Sequence, residues 1–350
     1  MYTHGGDCYR GQITYDFSAN INPLGMPGAV KNAAYEGVLL SGRYPDISNR
    51  SLVSAFAKRF GIGCPEEEAG AHLVFGNGAG ELIYLIARAI GGKGIAYGPT
   101  FTLYEEAMLA AGGTFSYVDL SSEDDFAPTE ELAGRMGEDT SVCFLCHPNN
   151  PTGQPVPEAL MKKLIDRAYE TKTYLVVDES FLPFAENAVS LLADTKKLHP
   201  YMIVLHSLTK IYVMPGLRLG YAWFSDGALA EKVRLLTQPW NVSIPAQSAG
   251  VAAFNDRTFT EKTRDYIRAQ KAYLISELSG CFEKLCPGAA NFMMFLSRPD
   301  LGSRLLDEDI LVRDLSDLHG LAEGWYRIAI RSESENRVLI RAIKKILGDE

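Results

Sequence analysis

The chain has 350 residues, 47% hydrophobic and 22% charged, an ordinary globular composition with length for more than one domain. Its 43 acidic residues outweigh its 34 basic ones to give a net charge of -9, which argues against nucleic acid or an acidic membrane as partner. No basic stretch followed by an apolar core opens the chain and no apolar run is long enough to span a bilayer, so a cytoplasmic protein is expected.

In chain order, residues 16–27 form a turn-rich segment in which Asn20 is a candidate for meeting a substrate carboxylate. A helix is predicted over 27–40, with Pro27 at its start. The loop 42–46 precedes a helix over 52–60. A strand over 72–75, the glycine-rich turn 76–81 and a helix over 82–90 follow. Strand, glycine turn and helix start together aim backbone N–H groups and a positive helix end at an anion. Further strands are predicted over 94–97, 115–120, 142–146, 174–177, 202–205 and 217–224, with helices to residue 111 and over 157–170 between them. These strands are apolar throughout rather than alternating, which is the mark of an α/β protein with a mostly parallel sheet. The candidate site residues lie just after strands, where open α/β sheets bind ligands.

After a helix over 228–236 the texture changes. Residues 239–245 read as a connector. A long helix is predicted over 259–278, then short strands over 290–296, 310–312 and 325–330, and a last helix over 335–347. This part reads as a smaller α+β domain joined by the N-terminal arm. The domain division expected is 42–245 for the large domain, and 1–41 with 246–350 for the small one. The six cysteines are scattered. Cys143 and Cys146 form a CxxC inside a strand, where positions three apart face opposite ways, so free thiols and no metal site are expected.

The chemistry concentrates around Lys210. It follows an apolar strand, stands behind Ser207 and Thr209, and is followed by Arg218. A surface lysine is the plain alternative. Two hydroxyls and a guanidinium around one lysine instead suit a phosphate monoester whose aldehyde forms a Schiff base with the amine. Asp178 ends a buried strand and is a candidate carboxylate for a pyridine nitrogen, unless it is a structural acid. Asn150, in the Asn-Asn-Pro-Thr-Gly run, is a candidate hydrogen-bond donor to a phenolic oxygen, or a plain turn residue. Phe101 can stack on a ring face or belong to the core.

The segment from Ser207 to Tyr221 resembles the Schiff-base segment of fold-type-I pyridoxal 5'-phosphate enzymes, the aspartate aminotransferase superfamily. The resemblance extends from His4 to Arg331, within the histidinol-phosphate aminotransferase-like branch. It implies a large domain with a mostly parallel seven-stranded sheet and a smaller α+β domain. It implies that the backbone at Ala79 and Gly80, with Ser207, Thr209 and Arg218, holds the cofactor phosphate. Tyr44 would reach the phosphate of the neighbouring subunit's cofactor, which implies a homodimer with shared sites. Arg327 matches the family's carboxylate-binding arginine and Arg313 the arginine that meets a substrate phosphate. Arg331 and His4 join them as substrate-binding candidates.

Within that branch, His4-Gly5-Gly6, the segment 16–27 and Ile328-Ala329-Ile330-Arg331-Ser332 are most similar to the L-threonine-O-3-phosphate decarboxylase family of cobalamin biosynthesis. Phe181 agrees, because aminotransferases of this group usually place a Tyr there. The implied reaction is decarboxylation of L-threonine-O-3-phosphate to (R)-1-amino-2-propanol O-2-phosphate, with histidinol-phosphate transamination as the alternative. A non-catalytic cofactor sensor would need a DNA-binding winged helix, and no residues are left over for one. A dinucleotide-binding protein would need G-x-G-x-x-G spacing, which residues 76–80 lack.

Overall fold

The computed structural model describes residues 5–9, 13–62 and 66–348. Its strands in chain order are β1 (Tyr15–Asp16), β2 (Leu73–Gly76), β3 (Lys93–Gly98), β4 (Thr114–Asp119) and β5 (Val142–Cys146). Next come β6 (Tyr174–Asp178), β7 (Met202–Ser207), β8 (Gly220–Phe224) and β9 (Lys284–Cys286). The last are β10 (Phe292–Leu296), β11 (Ile310–Leu311), β12 (Arg313–Asp314) and β13 (Trp325–Ala329).

Seven strands form one sheet in the order β2-β8-β7-β6-β5-β3-β4. All neighbours are parallel except β8, which runs antiparallel to β2 and β7. The seven-stranded, mostly parallel sheet is the one expected. Both faces are covered, because apolar residues alternate between two clusters. Cys143, Leu145, Leu175 and Val177 pack on one side, and Val142, Phe144, Cys146 and Val176 on the other. Cys143 and Cys146 therefore lie on opposite faces as buried free thiols.

A second sheet, in the order β12-β13-β10-β9, is antiparallel. The N-terminal arm joins this region. β1 pairs in parallel with β11, and the Phe17 carbonyl accepts the Ala329 amide at 2.8 Å. Residues 18–20 are thereby carried to the edge of β13, facing the carboxyl ends of the large sheet.

Several elements differ from the sequence expectation, the unpredicted helix Glu66–His72 and strand β9 among them, and two of the differences have a clear packing cause. The strand predicted over 217–224 starts at Gly220. Arg218 has a positive φ of 61°, and a Cβ on Gly220 would lie 2.5 Å from the Ala79 nitrogen. The chain must turn tightly there to set Arg218 beside the glycine-rich turn. The second difference is the helix Ile244–Asn255, capped by the Ser243 hydroxyl, which starts inside the predicted connector and runs beyond it. Its Ala-rich sequence has no apolar stripe to betray it. It packs on the helix Gly28–Leu39, where a Cβ on Gly37 would sit 2.6 Å from Pro245 Cα.

Candidate active site

One cavity of about 310 Å³ lies at the carboxyl ends of β3, β5, β6 and β7. Its other wall comes from the arm, β12 and β13. Two walls from two sheets meet over Lys210.

The anion end is built first by backbone. The helix Ala79–Ile90 begins after Gly78 with no side-chain cap, so its first N–H groups, at Ala79 and Gly80, point into the cavity without a protein acceptor from the cap residue. Gly78 has φ 87°, and a Cβ there would meet Arg218 Nη2 at 2.5 Å. Only glycine lets this guanidinium lie against the turn. The Ser207 and Thr209 hydroxyls lie 2.5 Å apart beside them and share one hydrogen bond. Among the described residues no carboxylate forms an ion pair with Arg218. This cradle of amide, hydroxyl and guanidinium donors suits a phosphate dianion.

Lys210 sits in the short helix Leu208–Ile211 directly after β7. Among the described residues its amine has no hydrogen-bond partner. Burial, then the Arg327 and Arg218 cations, lower its pKa to about 8, against the pull of Asp178. An amine so poised is a nucleophile near neutral pH.

Asp178 ends β6 and is buried. Its Oδ2 accepts the Tyr104 hydroxyl at 2.8 Å and its Oδ1 accepts the Ser180 amide at 2.9 Å. Burial raises its pKa, opposed by these donors and by His206. Burial and Asp178 hold the Tyr104 phenol well above its ordinary pKa, so it stays a donor. Phe101 lines the cavity and meets Tyr104 edge-on at 5.6 Å. Asn150 Oδ1 accepts from Arg327 Nη1, which leaves its Nδ2 to donate into the cavity.

Arg313 and Arg327 are register partners on β12 and β13, both buried and both lining the cavity. Arg327 Nη2 donates to the Ser18 carbonyl at 2.9 Å, and its buried Nε has no partner. Burial, then Arg313, lower the Arg327 pKa to about 9. Arg313 is held by the Asp314 carbonyl and by Asp317 at 2.8 Å. Asn20 also lines the cavity, with a buried Oδ1 that has no partner. Unpaired buried atoms on a guanidinium and an amide mark a place that a polar ligand completes.

Of the expected site residues, the structure gathers Asn20, Ala79, Gly80, Phe101, Asn150, Asp178, Ser207, Thr209, Lys210, Arg218, Arg313 and Arg327. Tyr44 stands apart, exposed and stacked on Trp240 at 4.5 Å. Arg331 is also outside the cavity lining, paired with Glu335 at 2.8 Å. His4 lies outside the described residues. Tyr104, Ser18, Leu315 and Leu318 were not foreseen. Only Tyr104 left a trace in the sequence, three residues after Phe101 on a helical face.

The donors and the lysine fit pyridoxal 5'-phosphate. The phosphate cradle, the amine, the Asp178 carboxylate and the Asn150 amide match its phosphate, aldehyde, ring nitrogen and phenolic oxygen in kind.

Comparison with known proteins agrees. Threonine-phosphate decarboxylase of Salmonella typhimurium is 33% identical over 95% of this chain and 91% of its own. A histidinol-phosphate aminotransferase of Oleidesulfovibrio alaskensis is 32% identical over 94% of this chain and 86% of its own. The crystal structure of the histidinol-phosphate aminotransferase from Clostridium acetobutylicum superposes with a TM-score of 0.88 and 26% identity, covering 96% of this chain and all of that one. Matched from residue 13 to residue 343, this chain belongs to the aminotransferase class I and II family and is a pyridoxal-phosphate enzyme.

Proposed function

We propose that this protein decarboxylates L-threonine-O-3-phosphate, releasing CO₂ and (R)-1-amino-2-propanol O-2-phosphate for cobalamin biosynthesis. The observation that carries this reading is the pair of buried guanidinia, Arg313 and Arg327, side by side in the cavity of Lys210. Threonine phosphate brings a phosphate and a carboxylate on one molecule, whereas histidinol phosphate brings only the phosphate and a transaminase meets carboxylates only on its oxo-acid partner. The decarboxylase relative from Salmonella and the hydroxyl-free Phe181 in the cavity wall support the same choice.

Ala79, Gly80, Ser207, Thr209 and Arg218 would hold the cofactor phosphate, with Phe101 against one ring face and Asn150 at the phenolic oxygen. Lys210 would carry the cofactor through its amine. Asp178 would face the ring nitrogen, and a cation there would keep the carboxyl ionised against burial. When bound, the cofactor supplies an electron sink for whichever Cα bond stands perpendicular to its ring. Arg313 takes the substrate phosphate, while Arg327 and Asn20 orient the carboxylate, so the Cα–carboxylate bond is the one so placed. With the bond electrons taken up by that sink as CO₂ departs, the Lys210 ammonium would donate the proton that replaces the carboxylate on Cα. Arg331, outside the cavity lining and paired with Glu335, and His4, outside the described residues, stay in the reading only as cations that attract the dianionic substrate.

The site is completed in a homodimer. Tyr44 is exposed away from its own cavity, in a stretch where Leu39, Leu40 and Ile47 are also exposed, which supports a role at the partner's cofactor. The proposed domain division, 42–245 for the cofactor and 1–41 with 246–350 for the substrate anions, is supported by the split of the cavity lining between the two walls. Among the described residues no helix is long and apolar enough to cross a membrane. A cytoplasmic location suits the reading.

The test is to incubate the cofactor-loaded enzyme with threonine phosphate, without any oxo acid, and measure CO₂. Continuous release is expected. No CO₂, together with glutamate formed from histidinol phosphate and 2-oxoglutarate, overturns the proposal in favour of the transaminase. That second reading rests on the likeness to the Clostridium structure.

A further inference from the structure

The segment 314–321, between β12 and β13, leaves the second sheet and docks on the first. At its root Arg313 is tied to Asp317 at 2.8 Å. At its far end His319 Nε2 meets Asp119 Oδ1 at 2.7 Å, and the imidazole stacks on Tyr117 at 4.1 Å with planes 12° apart. Asp119 ends β4. Gly98, which ends β3, leaves room for this contact, since a Cβ there would lie 2.7 Å from His319 Cδ2. The segment is thus clamped across the cavity mouth.

Between root and clamp it presents two leucines. Leu315 and Leu318 are buried, line the cavity, and pack behind into the cluster of Tyr97, Val118 and Leu120. Leu315 stands two residues after Arg313, so the extended backbone turns both toward one face. A tight turn, with the Leu318 amide on the Leu315 carbonyl at 3.0 Å, brings Leu318 alongside. Phe101 and Phe181 belong to the cofactor's wall. The leucines are the apolar surface next to the proposed phosphate arginine.

We infer that Leu315 and Leu318 receive the methyl group on the substrate's phosphate-bearing carbon and so select threonine phosphate over serine phosphate. His319 is a positioning residue that holds the two leucines in place through Asp119 and Tyr117. The inference rests on the proposed substrate. It explains how a site dominated by cations distinguishes two substrates of equal charge. Packing one methyl group is worth about 10-fold or more in selectivity.

The experiment compares two amino-alcohol phosphates that differ by that methyl, 1-amino-2-propanol O-phosphate and ethanolamine phosphate. Their affinities for the holoenzyme are measured by calorimetry, beside the kcat/KM ratio for threonine phosphate and serine phosphate. The wild type should prefer the methylated partner by about 10-fold in both. Leu318→Ala and Leu315→Ala should bring the ratio to about 3-fold or less, with affinity for ethanolamine phosphate nearly unchanged. Leu318→Phe fills the space instead of emptying it and should reverse the preference. His319→Ala should weaken the preference, and His319→Gln, which keeps a donor for Asp119, should restore much of it. A ratio unchanged in all three leucine variants overturns the inference. A wild type that binds neither amino-alcohol phosphate overturns the substrate assignment and this inference with it, a result distinct from an unchanged ratio.

Discussion

The two walls of the cavity are made differently. On the cofactor side, Asp178 and Ser207 project from the ends of β6 and β7, neighbours whose register sets Asp178 opposite Leu205. Ladder hydrogen bonds along both strands hold that wall, and the Tyr104 and Ser180 donors hold the carboxylate. On the wall proposed for the substrate the groups come from the arm, β12, β13 and the segment 314–321. None of these is long, and each is held by contacts to segments distant in sequence. Arg327 shows this most directly, bonded to Ser18 of the arm and to Asn150 of the opposite wall. The contrast teaches that strand register places Asp178 and Ser207, whereas contacts crossing between distant segments place Arg327; on the proposed reading the first wall does the chemistry and the second chooses the substrate.

The comparison can be broken at four points. Asp178→Asn should cost the most, about 10³-fold in turnover, with the cofactor retained because the phosphate cradle is intact. Near-normal turnover with bound cofactor would make the carboxylate structural. Arg327→Lys comes next. A lysine lacks the planar fork that can grip a carboxylate bidentately while still bonding Ser18 and Asn150, so kcat/KM should fall about 100-fold through KM and turnover together. An effect confined to folding stability would remove Arg327 from the substrate wall.

Tyr104→Phe should lower turnover by about 10-fold, the value of one hydrogen bond to a charged group. Release of the cofactor should be unchanged; a large loss of cofactor would mean that Tyr104 shapes the cavity rather than Asp178. The smallest effect concerns pH. Lysine reacts with an aldehyde in its neutral form, and the Lys210 pKa is lowered to about 8. Cofactor capture by the apoprotein should therefore rise as pH climbs through about 8 and then level off. Replacing Arg327 by Met removes a cation that disfavours the ammonium, so the midpoint should move up. A midpoint that stays put would show the two walls to be electrostatically independent.

Much of this was legible along the chain. Apolar runs over 142–146, 174–177 and 202–205 identify strands buried on both faces, because only such strands need no polar face. Ser207, Thr209, Lys210 and Arg218 lie within twelve residues, and local chemistry suffices to read them. The glycines at 76, 78 and 80 announce a tight anion turn, and at Gly78, with φ 87°, the backbone favours glycine. The sequence by itself determined the sheet, the lysine and the cradle, and through family resemblance the cofactor.

The tertiary structure decided the rest. The helix Ile244–Asn255 mixes alanines with Gln247, Ser248 and Phe254 and shows no clear apolar stripe, so only its packing on Gly28–Leu39 defines it. Arg313 and Arg327 are fourteen positions apart, and it is the β12–β13 register that sets the two guanidinia opposite each other. Leu315 and Leu318 read as ordinary core leucines until the clamp of His319 on Asp119 carries them to the cavity mouth. Local pattern reports which faces are apolar and which turns are tight. It does not report which distant segments meet, because that depends on burial summed over the whole chain.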